Sequence, residues 1–399
     1  MNVFSKLYCR LYQTVFRVFL PMLPYREPVL LKNYQDLIDV LDEEDKLNVL
    51  LVTDKGIRSL GLTQTLEKEL ADNKFNVFVY DGTTANPTTN NVSEALEIFK
   101  SNKCDSIIAF GGGSAMDCAK AVGARVACPK KSLNDMKGLL KVNHRLPLLI
   151  AIPTTAGTGS ETTLTAVITD SETRHKYTIN DFDLIPDFAL LDAKLTLGLP
   201  KHITSTTGMD ALTHAIEAYI GRSTTPTTRK NALNAIKLIF ENLEVVYNDG
   251  SNLEARENML KASYLAGLAF TKSYVGYIHA VAHSLGGKYD IPHGLANAVI
   301  MPYLLKVYGK KIYKKLWKIG IFVGLFDEKT TKEAGAKIVI KKIEKMNKNM
   351  QIPTKIEGVV ESDIEDLARI AAKEANPLYP VPKLMSAKAL RNIYYLIKK

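Results

Sequence analysis

Ser106-Ile107-Ile108-Ala109-Phe110-Gly111-Gly112-Gly113-Ser114-Ala115-Met116 reads as a strand, a glycine turn and the start of a helix. Residues 107–110 are apolar throughout, as a strand covered on both faces should be. The helical pattern after the turn runs from about Ala115 to Val126. Upstream, Leu47 to Thr53 is a second short apolar run, followed by helical spacing through Leu60, Leu66 and Leu70. A third strand is expected at Phe75 to Tyr80, a helix near Val92 to Phe99, and a further strand at Leu148 to Ile152. Strands alternating with helices predict a parallel sheet flanked by helices, with ligands bound at the carboxyl ends of its strands. Beyond Leu199-Pro200 only helical periodicity remains. The chain therefore divides into a helical extension over 1–28, an α/β domain over 29–199 and an all-helical domain over 200–399.

At 399 residues the chain exceeds what one core usually holds, and its 46% hydrophobic and 24% charged content is that of a globular protein. Cys9, Cys104, Cys118 and Cys128 have no CxxC spacing, which points to free thiols in a reducing cytoplasm. The net charge of +10 is concentrated between Lys306 and Lys348. There the lysines interleave with apolar residues as on amphipathic helices with a solvated face, so nucleic acid is not expected as a partner. Residues 1–20 carry Phe4, Leu7, Tyr8, Leu11, Val15, Val18 and Phe19 at helical spacing, with Lys6, Arg10, Gln13 and Arg17 on the other face. Arg17 and Pro21 break the apolar run, which fits neither a signal peptide nor a membrane span. The expectation is a helix packed on the body or on a neighbouring subunit, with a membrane-surface helix as the alternative.

The turn Gly111-Gly112-Gly113-Ser114 lets backbone amides approach a phosphate at a helix N-terminus, and Ser114 can cap that helix. It is neither a G-x-G-x-x-G fingerprint nor a P-loop. A second polar loop, Pro153 to Thr163, follows the strand ending at Ile152 and suits a close-approaching ligand at the same sheet edge. Asp54 follows the strand ending at Thr53. It could accept ribose hydroxyls and repel a 2′-phosphate, or simply cap a helix. Together these elements predict a dinucleotide, NAD ahead of NADP.

Four of the seven histidines fall in two helical stretches. Asp210 and His214 are one turn apart, as are His279 and His283, and His293 follows in Ile291-Pro292-His293-Gly294. Residues four apart share a helix face, so imidazoles and a carboxylate can converge on a divalent transition metal. Spacing does not say which histidines are the ligands. His144, His175 and His202 are expected to be surface loop residues.

The segments GGGSAMDCAK (111–120), PTTAGTGSE (153–161), LPKHITSTTGMDALTHAIEAY (199–219) and HAVAHSLGGKYDIPHGLANAVIMP (279–302) resemble the iron-containing (group III) alcohol dehydrogenases. Ala375-Asn376-Pro377 resembles the family's C-terminal pocket element, whereas residues 1–20 depart from its pattern. The resemblance implies a dehydroquinate synthase-like architecture, with Asp210, His214, His279 and His293 as ligands to Fe2+ or Zn2+. It implies that His283 lies near the nicotinamide and substrate and handles the proton. It also implies that Gly111, Gly112, Gly113 and Ser114 meet the pyrophosphate. Asp117 and Lys176 are expected to contribute to the cofactor site, Thr154, Thr155 and Thr158 to meet the phosphates and adenine end, and Asp54 to favour NAD. The implied activity interconverts a small primary alcohol and its aldehyde or ketone in the cleft between the halves, by a cytoplasmic homo-oligomer, a homodimer by default. No membrane partner is expected. A lyase of the dehydroquinate synthase type, or a non-catalytic metal- or nucleotide-binding scaffold, is the alternative. Net NADH turnover separates the lyase from the dehydrogenase.

Overall fold

A computed structural model describes residues 1–399 and resolves two compact units, 24–197 and 198–399, the latter joined by residues 1–23. Helix α1 (Val3–Phe19), capped by Asn2 through Ser5 N, belongs to the second unit.

In the first unit the strands β1 (Val29–Leu31), β2 (Asn48–Val52), β3 (Asn76–Tyr80), β4 (Ser106–Gly111), β6 (Leu148–Pro153) and β9 (Phe188–Leu190) form one parallel sheet, ordered β1-β9-β6-β4-β2-β3. Its helices are α2 (Tyr34–Glu43), α3 (Lys55–Ser59), α4 (Gln64–Asp72), α5 (Thr89–Ser101) and α6 (Gly113–Ala127). The pleat sends alternate residues to opposite faces. Leu50, Val52, Ile107 and Ala109 join one core with residues of α5 and α6, and Val49, Leu51, Ile108 and Phe110 join another with α2 and α4. Both faces are covered, which is why the strands lack polar alternation. A smaller sheet, β5 (Gly138–Leu139), β8 (Lys176–Asn180) and β7 (Thr165–Thr169), has β8 antiparallel to β7. It and the three-residue strands β1 and β9 were not expected from the sequence. Each is too short, or too mixed in character, to stand out without its partner.

The chain runs from β2 outward to β3 and then returns to β4 on the other side of β2. The direction of winding therefore reverses between β2 and β4, the point at which open α/β sheets leave a crevice for ligands.

The second unit continues with α7 (Lys201–Ile220), α8 (Pro226–Asn248), α9 (Leu253–Ser273), α10 (Tyr277–Tyr289), α11 (His293–Tyr308), α12 (Tyr313–Phe322), α13 (Lys332–Asn349), α14 (Ile364–Ala375) and α15 (Ala387–Ile397). From Gly208 to Ile220, α7 is buried on every side, packed among α8, α9 and α11. Such a helix needs apolar residues all round, and any polar group it carries must find a partner inside. The lysine-rich helices α12 and α13 bury Leu316, Ile319, Val339 and Ile343.

Helix α1 departs from expectation in its orientation. Its polar side faces the body: Gln13, 3% exposed, donates to Pro377 O and Tyr379 O, and Arg10 donates to Val381 O and Pro382 O. Its apolar side faces outward.

Candidate metal centre and cofactor loops

Helix α7 carries Asp210 and His214, both buried, and α10 carries His279, 1% exposed. Asp290 ends α10 in the left-handed conformation, and Pro292 starts α11 with His293 as its first residue. This tight corner brings His293 back beside His279, with ring centroids 5.3 Å apart. One donor atom from each of Asp210, His214, His279 and His293 lies within 4.8 Å of the others. Asp210 Oδ1 is 3.7 Å from His279 Nε2 and 3.4 Å from His293 Nε2. A carboxylate oxygen and imidazole nitrogens at such spacing surround a common centre and lie beyond ordinary hydrogen-bond length.

The electrostatics suit a cation. Burial, then the neighbouring His214, His293 and His283, holds His279 well below the ordinary histidine range, so its imidazole is neutral at neutral pH. Burial pushes the Asp210 carboxyl up, against the pull of His214 and Asn297. His279 Nε2 is buried without a hydrogen-bond partner. An orphaned buried nitrogen is costly, and a metal ion would satisfy it together with the carboxylate.

Glu217, one turn beyond His214, is the residue sequence reasoning passed over. Its carboxylate accepts from Gly276 N (2.7 Å), Ile278 N (2.9 Å) and His279 Nδ1 (2.7 Å). Burial pushes Glu217 up to about 7, and the backbone amides of Ile278, Gly276 and His279 oppose it. Two obligatory backbone donors oblige it to accept, so His279 carries its proton on Nδ1 and directs the Nε2 lone pair at the cluster. Asn297, one turn after His293, donates to Asp210 Oδ1 at 2.7 Å and lies 3.1 Å from His293 Nε2. Both residues sat on faces already marked by histidines, which was the available signal.

His283 is not among the four clustered donors. Its ring stacks on His293 at 5.1 Å, and its Nδ1 meets Glu374 Oε1 at 2.6 Å. Burial pushes Glu374 up, yet His283 and Tyr379 together bring it below the usual range. Nothing local in the sequence marks Glu374, on α14, as a partner for α10.

In the first unit, Asp54 Oδ1 caps α3 through Ile57 N at 2.9 Å. Its Oδ2 faces the glycine turn, 3.7 Å from where a Cβ on Gly111 would stand. Asp54 and Gly111 thus flank the reversal point between β2 and β4. Gly111 has φ +153°, which disfavours a side chain, and a Cβ on Gly113 would meet Thr158 Cγ2 at 2.9 Å. Gly112, not Ser114, occupies the cap position of α6, and it makes no side-chain cap bond. Ser114 lies inside the helix, so the first amides of α6 have no side-chain cap. Thr154 N donates to Gly111 O at 3.0 Å, joining the two loops, and its buried hydroxyl has no protein partner. Thr155 borders Gly112, and Thr158 borders Gly113. The glycine cradle and the orphaned hydroxyl fit a pyrophosphate.

Asp117 and Lys176 stand differently. Asp117 accepts from Ser160 Oγ and Val167 N, and burial pushes it up to about 6. Lys176 Nζ donates to Asn86 Oδ1 at 2.7 Å. Lys120, fully buried, has its Nζ within bonding distance of Ser160 O (2.6 Å), Thr163 O (2.8 Å) and Thr165 O (3.1 Å), and so ties down the Pro153–Thr163 loop. Of the remaining histidines, His144 bonds Val142 O, His175 meets Lys137 Nζ, and His202 lies within α7, not in a loop.

Residues 31–193 match the iron-containing alcohol dehydrogenase family, and residues 204–397 match the C-terminal part of the Fe-containing alcohol dehydrogenase family. The chain is 38% identical over 365 residues to 1,3-propanediol dehydrogenase of Citrobacter freundii, covering 90% of this chain and 94% of that one. Among solved structures it resembles 1,3-propanediol oxidoreductase, with a TM-score of 0.88 and 34% identity over 93% of this chain and 98% of that one. It also resembles sulfoacetaldehyde reductase from Bifidobacterium kashiwanohense in complex with NAD+, with a TM-score of 0.82 and 29% identity over 94% and 98%. Both units are matched in sequence and in fold, and the chain belongs to the iron-containing alcohol dehydrogenase family.

Proposed function

We propose that this chain interconverts a small primary alcohol and its aldehyde, with NAD as hydride carrier and Fe2+ or Zn2+ held by Asp210, His214, His279 and His293. The observation that carries this reading is the convergence of those four donors, with the tautomer of His279 set by Glu217. When bound, the metal supplies Lewis acidity to the substrate oxygen and NAD supplies the carbon that takes or gives the hydride. The protein's own part is positioning and proton movement. Three neutral imidazoles and one carboxylate form the ligand set, with Asn297 fixing the carboxylate of Asp210. His283, braced at Nδ1 by Glu374, exchanges the alcohol proton at Nε2. Asp54 selects NAD over NADP through the ribose, and the Gly111–Ser114 turn takes the pyrophosphate with Thr154, Thr155 and Thr158. Asp117 and Lys176 act more remotely, by holding the loops that line this site.

Further support bears on setting and assembly. Four buried free thiols suit a reducing cytoplasm, and no helix is long and apolar enough to cross a membrane. Strand β1 leaves a sheet edge with Val29 and Leu30 exposed, an edge that a second copy can pair with in a homodimer. Protein reconstituted with Fe2+ or Zn2+ is expected to oxidise NADH when given short aldehydes. No net NADH oxidation with either metal across an aldehyde series would overturn the reading. Transient reduction of bound NAD with no net change would move the chain to the lyase class.

A further inference from the structure

Helix α1 lies outside both segments matched to the family and takes no part in the metal or cofactor sites. At 100° per residue, Val3, Phe4, Leu7, Tyr8, Leu11 and Tyr12 fall on one arc covering about half the helix circumference. Phe4 is 82% exposed and Leu11 62%, and Met22 just beyond the helix is 77% exposed. A contiguous apolar face of this kind marks a docking surface. It is not a helix docked by accident. Gln13 and Arg10 hold the opposite side down through backbone carbonyls of residues 377–382, and Phe16 packs edge-on against Tyr274 at 5.1 Å.

The charge pattern selects the occupant. Glu27 is the first carboxylate in the chain, whereas exposed Lys6 and Arg17 lie along one flank of the arc. Two copies of α1 packed together would bring cations near cations with no acidic side chain on either helix to pair them. An apolar arc of half a circumference is also broader than the narrow seam that a helix pair covers. Both features suit a flat, apolar phase bordered by negative charge. Aromatic rings on the apolar face and cations beside it are the composition of helices that lie in a lipid interface.

We propose that α1 is a membrane-surface anchor, laying its apolar arc into an anionic lipid leaflet while its polar face grips the enzyme. The chain is held on the surface and does not cross it. The test uses the full-length, metal-loaded protein with sedimented vesicles of phosphatidylcholine containing phosphatidylglycerol, and of phosphatidylcholine alone. The protein is expected to bind the anionic vesicles and to be released by salt. Leu7→Asp with Leu11→Asp should weaken binding at least about tenfold, since each removes a buried apolar contact and adds a repelled charge. Lys6→Gln with Arg17→Gln should weaken it about 25-fold on anionic vesicles, at about fivefold per cation. Both pairs should keep the wild-type aldehyde turnover, and Leu7→Asp with Leu11→Asp the wild-type melting temperature as well, because those two leucines face away from the body. Failure of wild type to bind anionic vesicles, or equal binding to both compositions, overturns the anchor. A halved particle mass in light scattering for Leu7→Asp with Leu11→Asp, in lipid-free solution, would assign the face to a second copy instead.

Discussion

His279 and His283 are separated by one helical turn and yet are given different work by two carboxylates. Glu217 turns one imidazole into a fixed lone pair aimed at the cluster. Glu374 braces the other where it touches no shared centre. His279→Ala is therefore expected to lose metal and turnover together, and His283→Ala to keep its metal while turnover falls about 10²- to 10⁴-fold. Metal content by mass spectrometry beside the rate separates them; release of metal by His283→Ala would reverse the assignment. Glu217→Gln retains the volume but puts a donor where an acceptor is required. Metal affinity should drop about 10- to 100-fold in chelator competition, and an unchanged affinity would reduce Glu217 to a loop brace. The histidines were legible as a set because helical spacing announces a shared face. Their proposed division into ligand and proton handler came from the family resemblance and not from spacing, and the partners that go with it, Glu217 on α7 and Glu374 on α14, are brought near only by the folded chain.

Among the elements, α7 bears the greatest demand, since a helix buried on all sides must have its final carbonyls satisfied internally. Lys315 does this from α12, its Nζ donating to Tyr219 O, Ile220 O and Gly221 O. Lys315→Met should cost about 1–3 kcal/mol, as unmet acceptors at a buried helix end do. Burial, with Arg229, Arg222 and Arg17 nearby, lowers Lys315 to about 8 from 10.5. Between those values the unfolded chain holds more protons at this lysine than the folded one. The wild-type advantage over the variant should then grow as pH rises through that window, in chemical denaturation at stepped pH. A constant gap would show that the ammonium is not perturbed. Strands β2, β4 and β6 were readable because burial on two faces removes polar residues from them, and the half-buried edge strand β3 because valine and aromatic residues run through it. Strands β1 and β9 were not, because three residues carry no period and acquire meaning only from pairing. Helix α1 was readable as a helix but not in its orientation. Amphipathic pattern says that two faces differ, and the hydrogen-bonding of Gln13 and Arg10 decides which one the body takes.

For the whole molecule, the two proposed ligands fall to different units, the metal to 198–399 and the pyrophosphate to 24–197. A ligand that binds only the folded form stabilises it by about 4 kcal/mol at a thousandfold excess over Kd. Chelating the metal should therefore speed amide hydrogen exchange in α7, α10 and α11 while leaving β2, β4 and β6 as protected as before. Uniform loss of protection in both units would show instead that the chain opens as one cooperative body. The architecture was legible from the alternation of strand and helix up to residue 199 and its absence afterwards, because helix and strand periods differ so plainly.

The tether of α1 ends close to the proposed proton path. Gln13 Nε2 donates to Tyr379 O, the hydroxyl of Tyr379 donates to Glu374, and Glu374 bonds His283. Gln13 and Glu374 thus hold the two ends of one tyrosine, its backbone carbonyl and its hydroxyl, so the residue that anchors α1 also braces the carboxylate against His283. The seat of Tyr379 under α1 therefore bears on where Glu374 and His283 stand. Gln13→Ala should accordingly lower turnover and leave metal content intact; unchanged turnover would show that Tyr379 keeps its place without α1.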